Sequence, residues 1–362
     1  MTVKIRESHP SDGDGVQVAM TALYSWNYES EIDQLRTLYA NALDRQWIAL
    51  RDLDWERDID REAFSSSFSL GPVGIERTEF WRNLDPDVRW KVSSGMATFL
   101  LSNFLHGEQG ALMVAGELVS AVPHMDAKFY AATQTLDEAR HVEVFAAYIK
   151  KLGAVQPLSP AVKGVLDATI STDDWMMKLI GMQIVTEGLA LHFFRDMRRR
   201  TQEPLLKELL TLVSRDEARH TGYGIKYLSV LVPQLSAERR AELEDFAFEA
   251  ARVLIDSRSG TSLRDSAFAV MRKAGLDLEV ALPEMLKERD KLRPADDPER
   301  PRRGAVRGFI VPSLRSVGLF SSRIEACFDE MFAAMPGTSL GPIANDPKEL
   351  PEDLEAWVNE GA

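Results

Sequence analysis

The sequence predicts an all-α protein, a helical bundle with additional helices at both ends. Apolar residues recur at three- and four-residue steps over long stretches, and alternating strand-like segments are nearly absent. Prolines and glycines separate these stretches, at points where a helix has ended or is about to begin. The chain has 362 residues, of which 45% are hydrophobic, so it can bury a large core.

The helices are predicted in order along the chain. Residues 1–27 form a loose arm and 30–54 a first helix, whereas the acidic and then Ser-, Gly- and Pro-rich segment 54–74 is a connection. Longer helices follow, with breaks at prolines, because proline fits the first turn of a helix but not its interior. Their predicted ranges are 86–120, 124–152, 173–202, 204–232 and 236–258.

A charged, proline-rich stretch at 292–304 predicts a surface loop before a short C-terminal region. We therefore expect three parts: an N-terminal arm with an accessory helix (1–84), a bundle core (85–260) and a C-terminal helical extension with a tail (261–362).

Composition excludes several classes of protein. A net charge of −13 argues against nucleic-acid binding, which requires basic residues to neutralise phosphates. A single cysteine, Cys327, excludes a disulfide framework and a cysteine-rich metal site. No apolar run approaches the roughly 20 residues that cross a bilayer, and residues 1–15 lack the layout of a secretory signal. We expect a soluble cytoplasmic protein without a membrane partner.

One pattern carries chemistry, because it occurs twice. The string DEARH stands at 137–141 and again at 216–220, an offset of 79 positions. Thirty positions before the glutamate of each string, a lone glutamate lies in an otherwise apolar helix; these are Glu108 and Glu187. Within each string Glu and His are three residues apart, so both side chains lie on one helix face.

Glutamates that face a bundle core must be neutralised, since a buried charge is costly without a proton, a counter-charge or a metal. Two divalent cations would balance four carboxylates, and an oxygen-rich set with one imidazole per ion favours iron or manganese over zinc. The alternatives are a solvated Glu–His face, or a metal-free bundle with Glu–Arg pairs. The predicted ligands are Glu108, Glu138, His141, Glu187, Glu217 and His220.

Over residues 85–235 this pattern resembles the ferritin-like non-haem di-iron carboxylate superfamily. Its members include the ribonucleotide reductase small subunit, bacterial multicomponent monooxygenases, acyl-carrier-protein desaturases and arylamine N-oxygenases. The resemblance implies a ferritin-like bundle with two iron ions, or one manganese and one iron, and O2 as co-substrate. Glu108, Glu138 and His141 would bind one ion and Glu187, Glu217 and His220 the other, with some glutamates bridging.

This sequence departs from some relatives at single positions. Phe145 stands where the reductase subunit has its radical tyrosine, and Leu191 stands where the multicomponent monooxygenases have a threonine. His192 is a counterpart of the extra histidine ligand of arylamine N-oxygenases, but its spacing favours packing at the side of the helix. The resemblance places Trp47 on an electron route, against a plain core role, and leaves as redox neighbours Tyr148, Tyr223 and Tyr227.

Further residues are predicted around the metals. Metal-bound histidines usually donate their second N–H to a carboxylate, so we expect Asp216 to bond His141 and Asp137 to bond His220. Arg140 and Arg219 would pair with these aspartates. The substrate cavity is predicted to be shaped by Gln134, Thr135, Leu112, Phe145, Ile184, Leu191 and Val213.

The resulting hypothesis is an O2-activating di-iron monooxygenase or oxidase acting on a small apolar or aromatic substrate. The resemblance implies a peroxo or higher-valent di-iron intermediate and an external electron donor, a ferredoxin or reductase. Desaturation, amine N-oxygenation and Mn/Fe oxidase chemistry stay open within this class, as does a homodimer. An iron-handling ferroxidase is the alternative from another class.

Overall fold

The computed structural model describes residues 20–68, 78–255, 263–292 and 306–333, together with residues 18 and 76. Within these ranges every regular element is a helix. The helices are α1 (Asp33–Asp44), α2 (Ala49–Asp52), α3 (Arg61–Ser67), α4 (Glu79–Arg82), α5 (Pro86–Ala121), α6 (Met125–Leu152), α7 (Pro160–Ser171), α8 (Trp175–Leu179), α9 (Glu187–Arg200), α10 (Pro204–Leu231), α11 (Ala237–Ile255), α12 (Leu263–Lys273), α13 (Leu278–Leu292), α14 (Val311–Ser316) and α15 (Ser322–Ala333).

Four helices form the central bundle, in which α5 packs against α6 and α9 against α10, while α1 lies across α6 and α10. The starts of these helices follow the predicted proline signals. Pro86 opens α5 after Asp85, whose carboxylate accepts a hydrogen bond from a first-turn N–H. Pro204 opens α10 after Glu203, which caps it in the same way. The predicted all-α bundle is thereby confirmed.

The local predictions were wrong in three places. The segment 54–74, predicted as a connection, contains α3, which Asp60 caps by accepting from the N–H groups of Glu62 and Ala63. The predicted first helix breaks after Asp44 and resumes briefly as α2. The proline-marked break after 152 contains α7, capped by Ser159. Most of the predicted arm and loop, residues 1–17 and 293–304, lie outside the described residues.

The predicted helix 173–202 is not uniform. Between α8 and α9 the residues Ile180–Thr186 form a π-helical turn. The Thr186 hydroxyl donates to the carbonyl of Gly181 at 2.7 Å, and Gly181 lies so close to Thr169 that a larger residue would clash there. Such turns often occur beside functional sites because they locally change the direction of side chains. Here the turn ends at Thr186, directly before Glu187, one of the predicted ligands.

The core consists of two apolar clusters with a polar layer between them. On α5 one cluster begins at Ala111 and the other ends at Leu105. On α10 one ends at Val213 and the other begins at Tyr223. The repeated Glu and His positions fall between these limits on both helices. No helix in the described part of the chain is long and apolar enough to cross a membrane.

Candidate metal centre

The six predicted ligands lie together in the polar layer. Glu108 comes from α5, Glu138 and His141 from α6, Glu187 from the first turn of α9, and Glu217 and His220 from α10. All six are buried, with exposed fractions of 4% or less. Ligand atoms of four of them all lie within 4.8 Å of one another; these four are Glu138, His141, Glu217 and His220.

The two imidazoles face the same two carboxylates. Nδ1 of His141 lies 3.0 Å from Oε1 of Glu217 and 3.4 Å from Oε2 of Glu138. Nδ1 of His220 lies 3.0 Å from Oε1 of Glu138 and 3.4 Å from Oε2 of Glu217. Each of these glutamates therefore spans the space between the two imidazoles, with one oxygen toward each.

The other two glutamates each lie near one imidazole only. Oε2 of Glu108 lies 3.2 Å from Nδ1 of His141, and Oε1 of Glu187 lies 4.0 Å from Nδ1 of His220. The arrangement has approximate two-fold symmetry, which follows the 79-residue repeat of the sequence.

Several atoms of the centre that could bind a metal ion have no hydrogen-bond partner among the described residues. Both carboxylate oxygens of Glu217, Oε2 of Glu138 and Nδ1 of His220 are buried and form no hydrogen bond with any described residue. Burial, reinforced by the charge of Glu217, raises the pKa of Glu108 well above its ordinary value, and burial raises the pKa of Glu187 likewise. The cluster has metal-binding atoms without hydrogen-bond partners and more carboxylates than imidazoles. Two divalent cations bound at its middle would satisfy these atoms and balance the carboxylate charge.

Behind the imidazoles lies a second, charge-balanced layer. Nε2 of His141 is 3.2 Å from Oδ2 of Asp216 and Nε2 of His220 is 3.4 Å from Oδ2 of Asp137. Arg140 donates to both aspartates, at 2.5 Å and 2.9 Å. Arg219 also donates to both, at 2.5 Å to Asp216 and 3.4 Å to Asp137. Two aspartates and two arginines thus neutralise one another in the buried interior.

Burial opposes the ionisation of Asp216, but its hydrogen bond to His141 and the charge of Arg219 hold the pKa of this carboxyl well below its usual range. The ionised form of Asp216 is therefore favoured, and this carboxylate can orient the His141 ring and keep Nδ1 directed at the glutamates.

The sequence analysis gave no role to Gln46 and placed Trp47 on an electron route only through the resemblance. The indole N–H of Trp47 donates to Asp216 at 2.7 Å, and the Arg140 guanidinium lies 4.6 Å from the centre of the indole ring. Gln46 donates to Asp137 and accepts from Arg140. Both residues follow the end of α1, and the break in the predicted first helix places them over the Asp–Arg layer.

Gln183, in the π-helical turn, also escaped prediction. It donates to Gln134 at 3.0 Å, and Gln134 in turn donates to Glu138 at 3.0 Å and to Glu187 at 3.3 Å. The only sequence signal for Gln183 was that it is a polar residue in an otherwise apolar stretch. Two glutamines thus hold the carboxylates at this end of the centre.

A cavity of about 60 Å³ reaches Glu108 and Glu187 from the molecular surface. Apart from these two carboxylates its lining is mostly apolar and includes Gly107 and the aromatic rings of Phe104 and Phe193. The Phe104 and Phe193 ring centroids are 6.0 Å apart. The cavity gives an access path to the side of the centre opposite the Asp–Arg layer.

The residues predicted to shape a substrate cavity lie elsewhere, because their helix faces pack into the bundle. Ile184 and Leu191 belong to one apolar cluster, and Phe145 and Val213 to the other. The Thr135 hydroxyl donates to the carbonyl of Ala131 on its own helix. Gln134 bonds the glutamates as described. Leu112, the last residue of the predicted set, is half-buried.

Other residues singled out in the sequence have local partners. His192 is half-buried and packs edge-on against Phe193, at the side of its helix. The Tyr148 hydroxyl donates to Glu203, the cap of α10, at 2.6 Å. Tyr223 and Tyr227 stack on each other within α10.

Comparison with solved structures finds R2-like ligand-binding oxidases. A variant with a Mn/Fe cofactor is 17% identical and has a TM-score of 0.44, covering 74% of this chain and 93% of that one. A second variant, with an Fe/Fe cofactor, is 17% identical with a TM-score of 0.45 and the same coverage. A search of curated proteins gives no match.

The family comparison is more specific. The model of the family described as p-aminobenzoate N-oxygenase AurF matches residues 29–290. This range includes α1, with the Gln46 and Trp47 that follow it, and all six clustered Glu and His residues. Since the match spans well over half of the chain, the protein belongs to the AurF family of O2-dependent di-metal oxygenases.

Proposed function

We propose that this protein binds two iron ions and uses O2 to oxygenate a small apolar or aromatic substrate. The observation that carries the proposal is the set of six buried Glu and His side chains, in which ligand atoms of Glu138, Glu217 and His220 have no hydrogen-bond partner. An arrangement of two lone glutamates and two Glu-x-x-His pairs on four helices is that of di-iron carboxylate bundles.

The contacts suggest a role for each ligand. Glu138 and Glu217 would each help to hold both ions, because each directs one oxygen toward either imidazole. Glu108 would complete the shell on the His141 side and Glu187 on the His220 side. When bound, the two ions supply the electrons that reduce O2. Manganese in place of one iron would suit the same oxygen-rich ligands.

The surrounding protein supports this chemistry by position and by exclusion of water. Asp216 and Asp137 orient the two imidazoles, and Gln134 donates to two of the carboxylates. The apolar clusters on either side keep bulk water away from the centre. Electrons for each cycle would come from an external donor, and Trp47, bonded to Asp216, would lie on their path.

For the substrate, the family name makes the nitrogen of an arylamine the first choice. The cavity at Glu108 and Glu187 fits an apolar ring in character, but its volume is about 60 Å³, whereas a cavity of about 150 Å³ is known to bind benzene. An arylamine would therefore enter only when the side chains of Phe104 and Phe193 move apart.

The test is anaerobic reconstitution with ferrous iron, metal counting, and then exposure to O2 with p-aminobenzoate. We expect about two irons per chain in the wild type, as in other di-iron bundles, and an N-oxygenated product by mass spectrometry. The variant Glu217→Gln should lose iron and product together. The matched control is Glu143→Gln, an exposed glutamate on α6, which should retain both.

Two results would contradict the proposal. Full iron binding in Glu217→Gln would contradict the assignment of Glu217 as a metal ligand. Uptake of many irons per chain into a large hollow oligomer, with no oxidised organic product, would favour iron handling instead.

A further inference from the structure

A row of aromatic side chains leads from the polar layer to the surface. Tyr130 on α6 packs against Tyr223 on α10 with ring centroids 4.7 Å apart, and Tyr223 packs against Tyr227 at 5.9 Å. Trp175, the first residue of α8, stacks on Tyr227 at 5.7 Å. The three tyrosines are fully buried and Trp175 is half-buried. The row therefore joins the interior to solvent in short steps.

The inner end of the row lies beside the metal centre. Tyr223 follows His220 by three residues, which places it one turn further along the same helix face. Tyr130 precedes the ligand-bearing part of α6, and the charges of His220 and Arg219 act on its phenol. Along this row, an oxidant formed at the centre would act on these two rings before it acts on Tyr227.

Neither inner phenol can release its proton easily. The Tyr130 hydroxyl has no hydrogen-bond partner among the described residues, and the Tyr223 hydroxyl donates to the backbone carbonyl of Ala127 at 3.3 Å. A phenol that loses an electron becomes strongly acidic, and a backbone carbonyl is too weak a base to take the proton. Both rings are therefore suited to relay an electron and not to remain oxidised.

Tyr227 has the proton acceptor that the inner rings lack. Its hydroxyl oxygen lies 2.8 Å from Nδ1 of His124, and the two rings meet edge to face. A neutral imidazole with its proton on Nε2 can accept the phenolic proton at Nδ1 as the electron leaves. His124 stands at the start of α6 and makes no side-chain cap there, so its ring is free for this role.

We propose that Tyr130, Tyr223 and Tyr227 form a one-electron route by which oxidising equivalents leave the centre and reach the Tyr227–His124 pair. The inference rests on the proposed function, because the oxidant is the O2-oxidised metal site. That site gains one electron, and Tyr227 loses one. The phenolic proton moves to Nδ1 of His124, which leaves a neutral tyrosyl radical and an imidazolium.

A one-electron reductant of the ascorbate class then restores Tyr227 through Trp175, and the proton returns to the phenol. The route would protect the ligands when O2 reacts in the absence of substrate.

The first test needs no metal. A photo-generated ruthenium(III) complex oxidises the metal-free protein, in a background in which the exposed Tyr24 and Tyr28 are replaced by Phe, and frozen samples are examined by electron paramagnetic resonance. We expect a tyrosyl radical that is lost in Tyr227→Phe and strongly diminished in His124→Ala. Tyr148→Phe is the matched control, because Tyr148 is buried and bonded to the carboxylate of Glu203 but stands outside the row.

A radical that survives Tyr227→Phe, or that disappears in Tyr148→Phe, overturns the proposal, and so does the absence of any radical.

The second test uses iron-loaded protein exposed to O2 without substrate, with O2 uptake followed in parallel. The same signal should form, and Tyr223→Phe should slow its appearance. If O2 is consumed without a radical at Tyr227, the route is wrong while the proposed function stands. If O2 is not consumed, the proposed function fails, and the metal-free test still decides whether Tyr227 is the preferred site of oxidation.

Discussion

The two sides of the buried centre differ, although the same five residues recur on α6 and α10. On one side the imidazoles bond to Asp137 and Asp216, whose charges two arginines balance. On the other side Glu108 and Glu187 line a mostly apolar cavity that opens to the surface. We call these the support side and the access side.

The difference separates two physical tasks. The support side is neutral within the protein, so it can hold the imidazoles in place whether or not metal is bound. The access side has carboxylates whose ionisation is opposed by burial and by their neighbours, so it depends on an added cation. Substitutions on the support side should therefore affect folding, and those on the access side should affect binding and access.

The largest effect is expected on the support side. Asp216→Asn keeps the shape but leaves Arg140 and Arg219 with one counter-charge, and removing one partner of a buried ion pair costs about 3–5 kcal/mol. Urea denaturation of the metal-free protein measures this free energy of unfolding. Loss of the His141 partner should also weaken metal binding by about 10- to 100-fold.

Two further variants sharpen this result. Asp137→Asn should cost less than Asp216→Asn, because the contacts of Asp137 with His220 and Arg219 are both 3.4 Å long. Asp167→Asn is the surface control; its carboxylate is 48% exposed and pairs with Lys163, so the change should be about 0–1 kcal/mol. Equal effects in Asp216→Asn and Asp167→Asn would show that the Asp–Arg layer does not support the fold.

A smaller effect is expected from the access-side carboxylates, as a change in pH dependence. The pKa values of Glu108 and Glu187 are raised in the folded state above the ordinary 4.5. The folded protein therefore holds more protons than the unfolded chain, and these two groups make the metal-free protein less stable as pH rises above about 4.5.

The double variant Glu108→Gln/Glu187→Gln should lose this contribution. Relative to the wild type, its unfolding free energy without metal should improve between pH 5 and pH 8, a window that follows from the raised pKa values. Ferrous iron should reverse the order by stabilising the wild type alone. A constant difference between the two proteins across the window would contradict the assigned pKa shifts.

The smallest effect on stability is expected in the cavity. Gly107 lines it, and a side chain added there meets no atom within 4 Å of its Cβ. Gly107→Leu should leave the free energy of unfolding equal or improved by about 1 kcal/mol, the helix preference over glycine, while it slows substrate oxidation and leaves the iron count intact.

Gly116→Leu is the control for this variant. Gly116 lies on the same helix, is equally open at its Cβ and is not part of the cavity lining. Equal turnover in the Gly107 and Gly116 variants would show that substrate does not arrive through this cavity.

How well each helix or contact could be predicted depends on how far apart its interacting residues lie along the chain. The α5, α6 and α10 boundaries were predicted to within a residue or two, because capping residues and prolines act within one helical turn. The short α3 and α7 were missed, since few apolar positions repeat in a helix of one to three turns and the Ser-, Gly- and Pro-rich composition masked their caps.

The sequence alone determined that six ligand-type residues repeat with one offset and that each Glu-x-x-His pair shares a helix face, because helix geometry is local. Only the tertiary structure decided which oxygen faces which imidazole, and which residues support them. Trp47 and Asp216 are 169 positions apart in the chain yet share a hydrogen bond. Such contacts arise from the packing of whole helices, and no periodicity within one helix specifies which of its neighbours it will meet.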